Sequence, residues 1–262
     1  MSRLCRFTLA CWLVFCWGLA GVARAADPID LGQVDPYRDL APLVEVLEDG
    51  PAALTPEQVL LQPDWQPATP QRLNRGVTDV AVWLKLQVEN RSGTPLERWL
   101  TLGSPRLEQV DYYRLAPDSA QPAEAVVSGL AHVLARRPEV GIVSIFPVKL
   151  EPGGSATLLL RVTGRTRMAL DPGLWEPLAY RAQESDLTLR QLVPLCALLG
   201  IALCMLVHGW ARRDRSLLLL AAWLSMMALY EFSFGGHLYH FIFYEGGELP
   251  VRATVVDRKS VV

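Results

Sequence analysis

The residues best able to do chemistry are aromatic and cationic. Trp83, Trp99, Tyr112 and Tyr113 lie in or beside stretches of alternating apolar residues, and Arg106, Arg136, Arg137 and Arg161 fall in the same part of the chain. Aromatic faces stack on the C–H faces of sugar rings, and a planar guanidinium directs hydrogen bonds to their hydroxyls. Trp83, Trp99, Arg106, Tyr112, Arg137 and Arg161 are therefore the candidate ligand-binding residues. Taken one at a time, the plainer roles outweigh binding for each: Trp83 and Trp99 cover the outer sheet face, and the arginines are solvated.

Catalysis finds less support. Ser, His and Asp all occur, but no G-x-S-x-G turn is present and His132 is the one histidine ahead of residue 192, so no residue is given a catalytic role. Glu108 and Asp111 supply two carboxylates where calcium needs about six to eight oxygens. His237 and His240 sit three apart, yet no acidic or thiol partner stands at a fixed spacing, and an interfacial role is preferred to a metal. No metal and no cofactor is expected. Glu231 lies at the rim of an apolar run, where a functional role and a side chain reaching water are balanced.

The elements that must position these residues divide into an exported part and a membrane part. Residues 192–210, LVPLCALLGIALCMLVHGW, contain no formally charged side chain. As a helix they would be roughly 28 Å long, about the thickness of a bilayer's hydrocarbon core. Arg212, Arg213 and Arg215 follow at once, which places the 211–216 loop in the cytoplasm and the upstream chain outside. Residues 217–236 are a second span that returns the chain outward, with Tyr239, Phe241, Phe243 and Tyr244 as an interfacial belt in the 237–262 tail. At the amino terminus, Arg3 and Arg6, an apolar stretch over residues 7–19 and Ala23-Arg24-Ala25 form a signal peptide, residues 1–25.

Composition agrees with this division. A hydrophobic content of 51% in 262 residues fits one modest domain plus membrane segments, and a formal charge of -2 offers no surplus for nucleic acid. The five cysteines lie in the signal peptide and the first span, so the exported part folds without disulfides or thiolate-bound metal.

Within the exported part, residues 26–69 are a loosely structured lead-in, with a short helix starting at Thr55-Pro56-Glu57. Residues 70–183 form the β-domain. Val80, Val82, Leu84, Leu86 and Val88 alternate with Ala81, Trp83, Lys85, Gln87 and Glu89, a half-buried strand whose Trp83 side faces solvent. Asn90-Arg91-Ser92-Gly93 turns the chain into a second strand at 96–102, predicting a hairpin. Further strands are expected at 110–115, 141–150 and 156–162, the last two joined by Glu151-Pro152-Gly153-Gly154-Ser155. Two packed antiparallel sheets are the expected architecture, with residues 184–191 as a juxtamembrane connector.

The stretch VAVWLKLQVENRSGTPLERWLTLGSPRLEQVDYYRL, the hairpin FPVKLEPGGSATLLLRV and LWEPLAY resemble the extracellular sensing domain of bacterial seven-transmembrane receptors with diverse intracellular signalling modules. LLGIALCMLVHGWARRDRSLLLLAAWLSMMALYEFSFGGHLYH is similar to the first two spans of their receptor core. The resemblance implies a mainly β fold, a galactose-binding-like jelly-roll sandwich followed by transmembrane helices, held in a bacterial inner membrane with the domain in the periplasm. It also implies a cytoplasmic diguanylate cyclase or histidine kinase, for which this chain has no segment, and a truncated reading frame is the expectation. The expected function is a receptor without enzymatic activity. Its expected partners are a small extracellular ligand such as a saccharide, membrane lipid, and a second copy of the chain in a homodimer. The alternative is a membrane-anchored enzyme acting on envelope polysaccharide, which would need paired carboxylates across a cleft at a separation the sequence leaves open.

Overall fold

Strict alternation over one strand builds the centre of the fold. The computed structural model describes residues 27–50, 53–117, 119, 121–133 and 137–237. The signal peptide, Arg136, His240 and the aromatic belt lie outside the described residues. Among the described residues, thirteen strands run in chain order: β1 Ile29–Asp30, β2 Tyr37–Asp39, β3 Glu45–Asp49, β4 Gln66–Pro67, β5 Asn74–Val77, β6 Ala81–Glu89, β7 Leu96–Thr101, β8 Gln109–Leu115, β9 Pro122–Ser128, β10 Ile145–Leu150, β11 Ser155–Thr163, β12 Arg167–Ala169 and β13 Gly173–Trp175. Two short helices, α1 Pro56–Leu60 and α2 Pro70–Leu73, precede two long ones, α3 Pro177–Arg212 and α4 Arg215–Phe234.

The larger sheet has the order β4-β3-β6-β11-β8-β9, with β1 added parallel to the end of β6. In register, Val82, Leu84 and Leu86 of β6 stand opposite Val162, Leu160 and Leu158 of β11, and Leu160 stands opposite Tyr112 of β8. A period of two puts these side chains on one face. They pack against Leu100, Phe146, Val148 and Leu174 of the second sheet, whose order is β10-β7-β13-β2. The result is the expected β-sandwich.

Neither expected hairpin forms. β6 and β7 belong to different sheets, and so do β10 and β11. Both turns are instead arches between the sheets, and Asn90 ties them together. Its side-chain amide donates to the carbonyls of Thr94 (2.8 Å) and Leu150 (3.0 Å). Its backbone N–H donates to Gly154, and the Gly153 N–H donates back to its carbonyl. Alternation fixes which face a residue takes but not which sheet its neighbour strand joins.

The lead-in also departs from expectation, because the β-domain begins well before residue 70. β3 pairs with β6 over five positions, and β2 closes the second sheet through β13. Thr55 and Pro56 start α1, with Pro at the first helical position as the local sequence predicts, and Gln58 completes a capping box with the Thr55 hydroxyl. This segment lies over the outer face of the larger sheet, where Leu47, Val59, Leu115 and Leu159 enclose Trp83.

After Trp175 the chain enters α3, so the connector 184–191 and the first span are one continuous helix. Asp214 caps α4 by accepting from the Ser216 N–H at 2.9 Å. Close helix packing is permitted at Gly209, where an added Cβ would come within 3.1 Å of Leu217 and Leu218. The outward faces of both helices remain apolar: Leu203 is 60% exposed and Leu219 73%.

A candidate ligand cleft above the membrane spans

Cross-strand register builds an aromatic row on the outer face of the second sheet. β13 lies between β2 and β7, and its Trp175 stands opposite Tyr37 on one side and Trp99 on the other. The Tyr37 and Trp175 rings are 4.2 Å apart between centroids. Tyr180, in the first turn of α3, meets both Trp175 and Trp99 edge to face, each at 5.8 Å. Such tilted and edge contacts are the favoured geometry for aromatic pairs. Arg181 covers the Trp99 ring with its guanidinium at 4.8 Å. Tyr37 stays 38% exposed, so one end of the row is open.

Between this row and α3 lies a cleft of about 430 Å³. Tyr37, Trp175 and Tyr180 form its aromatic wall, and Gly173 and Thr101 form part of its floor. Gly173 is required there, because a Cβ would lie 2.6 Å from the Tyr37 ring and 3.3 Å from the Trp175 indole nitrogen. Gly103 does the same for Asp171. It adopts φ +69, and a Cβ on it would stand 2.6 Å from that of Asp171.

Three charged side chains line the cleft: Arg106, Asp171 and Glu184. Glu184 is satisfied, accepting the Ile142 N–H at 2.8 Å and pairing with Arg181 at 3.2 Å. Arg181 further pairs with Glu139 at 3.0 Å and donates to the Val140 carbonyl, which clamps α3 to the loop before β10. Arg106 lies over the Phe234 ring at 4.1 Å, at the outer end of α4. The Asp171 carboxylate has no hydrogen bond or ion pair among the described residues. Partial burial, then the negative charges of Asp171 and Asp39, push the Tyr37 hydroxyl above its ordinary pKa. Where the two long helices emerge, Gln191 and His237 share a 2.6 Å hydrogen bond.

Of the six residues expected from sequence, one lines this cleft, Arg106, and Trp99 lies buried behind its wall, beneath Tyr180 and Arg181. Trp83 is fully buried beneath the lead-in rather than exposed, and its indole donates to Asp49 at 3.5 Å. Alternation along β6 puts it on the outer face, and the lead-in covers that face. Arg161 lies over the Trp83 ring and pairs with Asp111 at 3.1 Å. Tyr112 stacks on Phe146 at 4.9 Å in the intersheet core. Arg137 is buried and donates to the Gly129 carbonyl at 2.9 Å. Glu108 pairs with Arg165, so neither of the two carboxylates weighed for calcium is free of an arginine. No group of three His, Cys, Asp or Glu able to hold a metal occurs among the described residues. Glu231 is exposed in the last turn of α4.

Sequence reasoning missed Tyr37, Trp175, Tyr180 and Asp171. Tyr37 and Trp175 lie in strands of three residues, too short for alternation to show. The signal that was present is Trp175 itself, an aromatic directly before the Glu-Pro pair that starts α3.

Residues 41–176, just over half of the chain, match the family described as 7TMR-DISM extracellular 2. The chain belongs to that family. It carries the family's extracellular β-domain, followed by two helices long and apolar enough to cross a bilayer. The match starts inside the lead-in, in keeping with β3 being part of the sandwich. Among solved structures, the chain is similar to a Bacillus thuringiensis Cry1Da tryptic core variant, at 12% identity and a TM-score of 0.22, covering 39% of this chain and 18% of that one. It is also similar to the K3 cleaved adhesin domain of Lys-gingipain from Porphyromonas gingivalis w83, at 18% identity and a TM-score of 0.21, covering 38% and 65%. A third is an exo-beta-1,3-galactanase from Phanerochaete chrysosporium with beta-1,3-galactotriose, at 17% identity and a TM-score of 0.18, covering 39% and 25%. The chain thus spans less than two thirds of each of these. No curated protein matches it.

Proposed function

We propose that this 7TMR-DISM receptor sits in a bacterial inner membrane and binds a periplasmic saccharide in the cleft between its aromatic row and α3, without turning it over. The observation that carries the reading is the Tyr37, Trp175 and Tyr180 wall set directly against a helix that continues to the membrane span. Aromatic walls suit the apolar faces of sugar rings. A ligand that fills the cleft touches Tyr180 and Leu187 of α3, so binding biases the position of a helix that already crosses into the spans. Arg106 is the sequence-derived residue that lines the cleft, at its far end, and Trp99 backs the aromatic wall. Trp83, Tyr112, Arg137 and Arg161 shape the domain instead.

The direct test is calorimetry of the full chain in lipid nanodiscs against a panel of envelope and environmental glycans. Binding without product formation supports the receptor, and turnover would promote a polysaccharide-acting enzyme in its place. Trp175→Ala should weaken the binding by about 1 kcal/mol, the scale of one aromatic contact. Orientation is tested separately. A reporter active only in the periplasm should work when fused after Arg165 and stay silent after Arg215, and the reverse result would overturn the topology.

A further inference from the structure

The cleft's electrostatics narrow the kind of saccharide it suits, and this step rests on the reading above. Its charged groups differ in how they are satisfied. Glu184 is held by the Ile142 N–H and Arg181, and Arg106 is directed onto the Phe234 ring. Asp171 alone of the three has no partner among the described residues, and its exposed side chain lines the cleft together with Tyr37 and Trp175. Two backbone positions without Cβ atoms keep this arrangement open, Gly103 under Asp171 and Gly173 under Tyr37. A carboxylate in a cleft walled by aromatic rings is the combination that binds cations, since ring faces are electron-rich and attract an ammonium within about 6 Å of their centroids.

We propose that the cleft selects an amino sugar, whose ring lies along Tyr37 and Trp175 and whose protonated amine pairs with Asp171. A neutral sugar keeps the stacking and loses the ion pair. An N-acetylated sugar loses the positive charge and adds bulk at the same position.

The test uses the full chain in nanodiscs of phosphatidylglycerol, a lipid that brings no amine of its own, with empty nanodiscs as the blank. Glucosamine, glucose and N-acetylglucosamine are titrated at about pH 6, below the range in which amino groups lose their proton. Glucosamine should bind at least tenfold more tightly than either neutral sugar. Asp171→Asn, at an exposed side chain, should reduce that preference to less than twofold by weakening glucosamine, and Tyr37→Ala should weaken all three. Equal binding of the three sugars, or a preference that survives Asp171→Asn, overturns the amine proposal and leaves saccharide binding standing. Ethanolamine is the converse control. If it binds as tightly as glucosamine while glucose does not bind, the saccharide reading fails and recognition of the amine stands. If none of the four binds, both fall.

Discussion

Leucine takes opposite positions in the two halves of this molecule. In the sandwich, Leu84, Leu100, Leu158 and Leu160 are wholly buried, whereas Leu203 and Leu219 in the two spans are each at least 60% exposed. The side chain is the same, so the difference lies in the surroundings each half is built for. A sheet in water must hide its apolar face against a second layer, and here the larger sheet hides both faces, one against its partner and one under the lead-in. A helix in lipid has nothing to gain by hiding leucine, since the acyl chains are as apolar as its neighbours. Burying apolar residues is therefore a rule about water, and the helices obey the other solvent.

The largest expected effect lies on the water side of that comparison. Trp83→Ala would open a large cavity between the sheet and the lead-in, and truncations of buried aromatic residues cost about 3–5 kcal/mol. Denaturant unfolding of the full chain in nanodiscs, followed by near-ultraviolet circular dichroism, should show a midpoint shift of that size. An unchanged midpoint would return Trp83 to the surface and remove the distinction between its two faces.

On the lipid side, Leu203→Arg places a charge near the middle of the first span, where insertion scales assign about 3 kcal/mol. The same substitution at an equally exposed position of a water-soluble helix would change stability by roughly 0.5 kcal/mol or less. A membrane-insertion assay on the pair of sequences therefore reads the solvent directly. Full insertion of the arginine variant would mean that these helices are exposed to water and that the contrast with the sandwich is false.

The extent to which sequence revealed this structure follows the same physics. Long elements were readable: β6 came from strict alternation, and the spans within α3 and α4 from uninterrupted hydrophobicity, because each signal accumulates over many residues. Pairing was not readable, since the turns after β6 and β10 look like hairpin turns and are arches. Most of the candidate site was hidden for the same reason. Tyr37 and Trp175 meet through register between strands remote in sequence, and Trp83 was judged by its strand without the segment that covers it. Asn90 is the residue on which the arches turn. Asn90→Ala would leave the Thr94 and Leu150 carbonyls without their donor, for an expected loss of about 2 kcal/mol by the same unfolding measurement. A negligible loss would show that the glycine-rich turns hold the arches without it.

The smallest effect has the opposite sign and concerns a residue first considered for binding. Tyr112 is buried in the intersheet core, its ring stacked on Phe146, and its hydroxyl has no hydrogen-bond partner among the described residues. A buried hydroxyl without a partner is destabilising, so Tyr112→Phe should keep the stacking and raise stability by about 1 kcal/mol. The same hydroxyl has a pH signature. Burial, reinforced by Glu124, raises its pKa well above the ordinary tyrosine value. A group whose folded pKa is raised favours the folded state below its unfolded pKa, and that contribution is lost as pH rises through the folded value. The fall in stability of the native protein above about pH 10, where free tyrosine ionises, should therefore be shallower in Tyr112→Phe. Ligand affinity should not change. A loss of affinity with stability intact would place Tyr112 in the binding site after all, and a loss of stability would show that its hydroxyl has a partner in the folded protein.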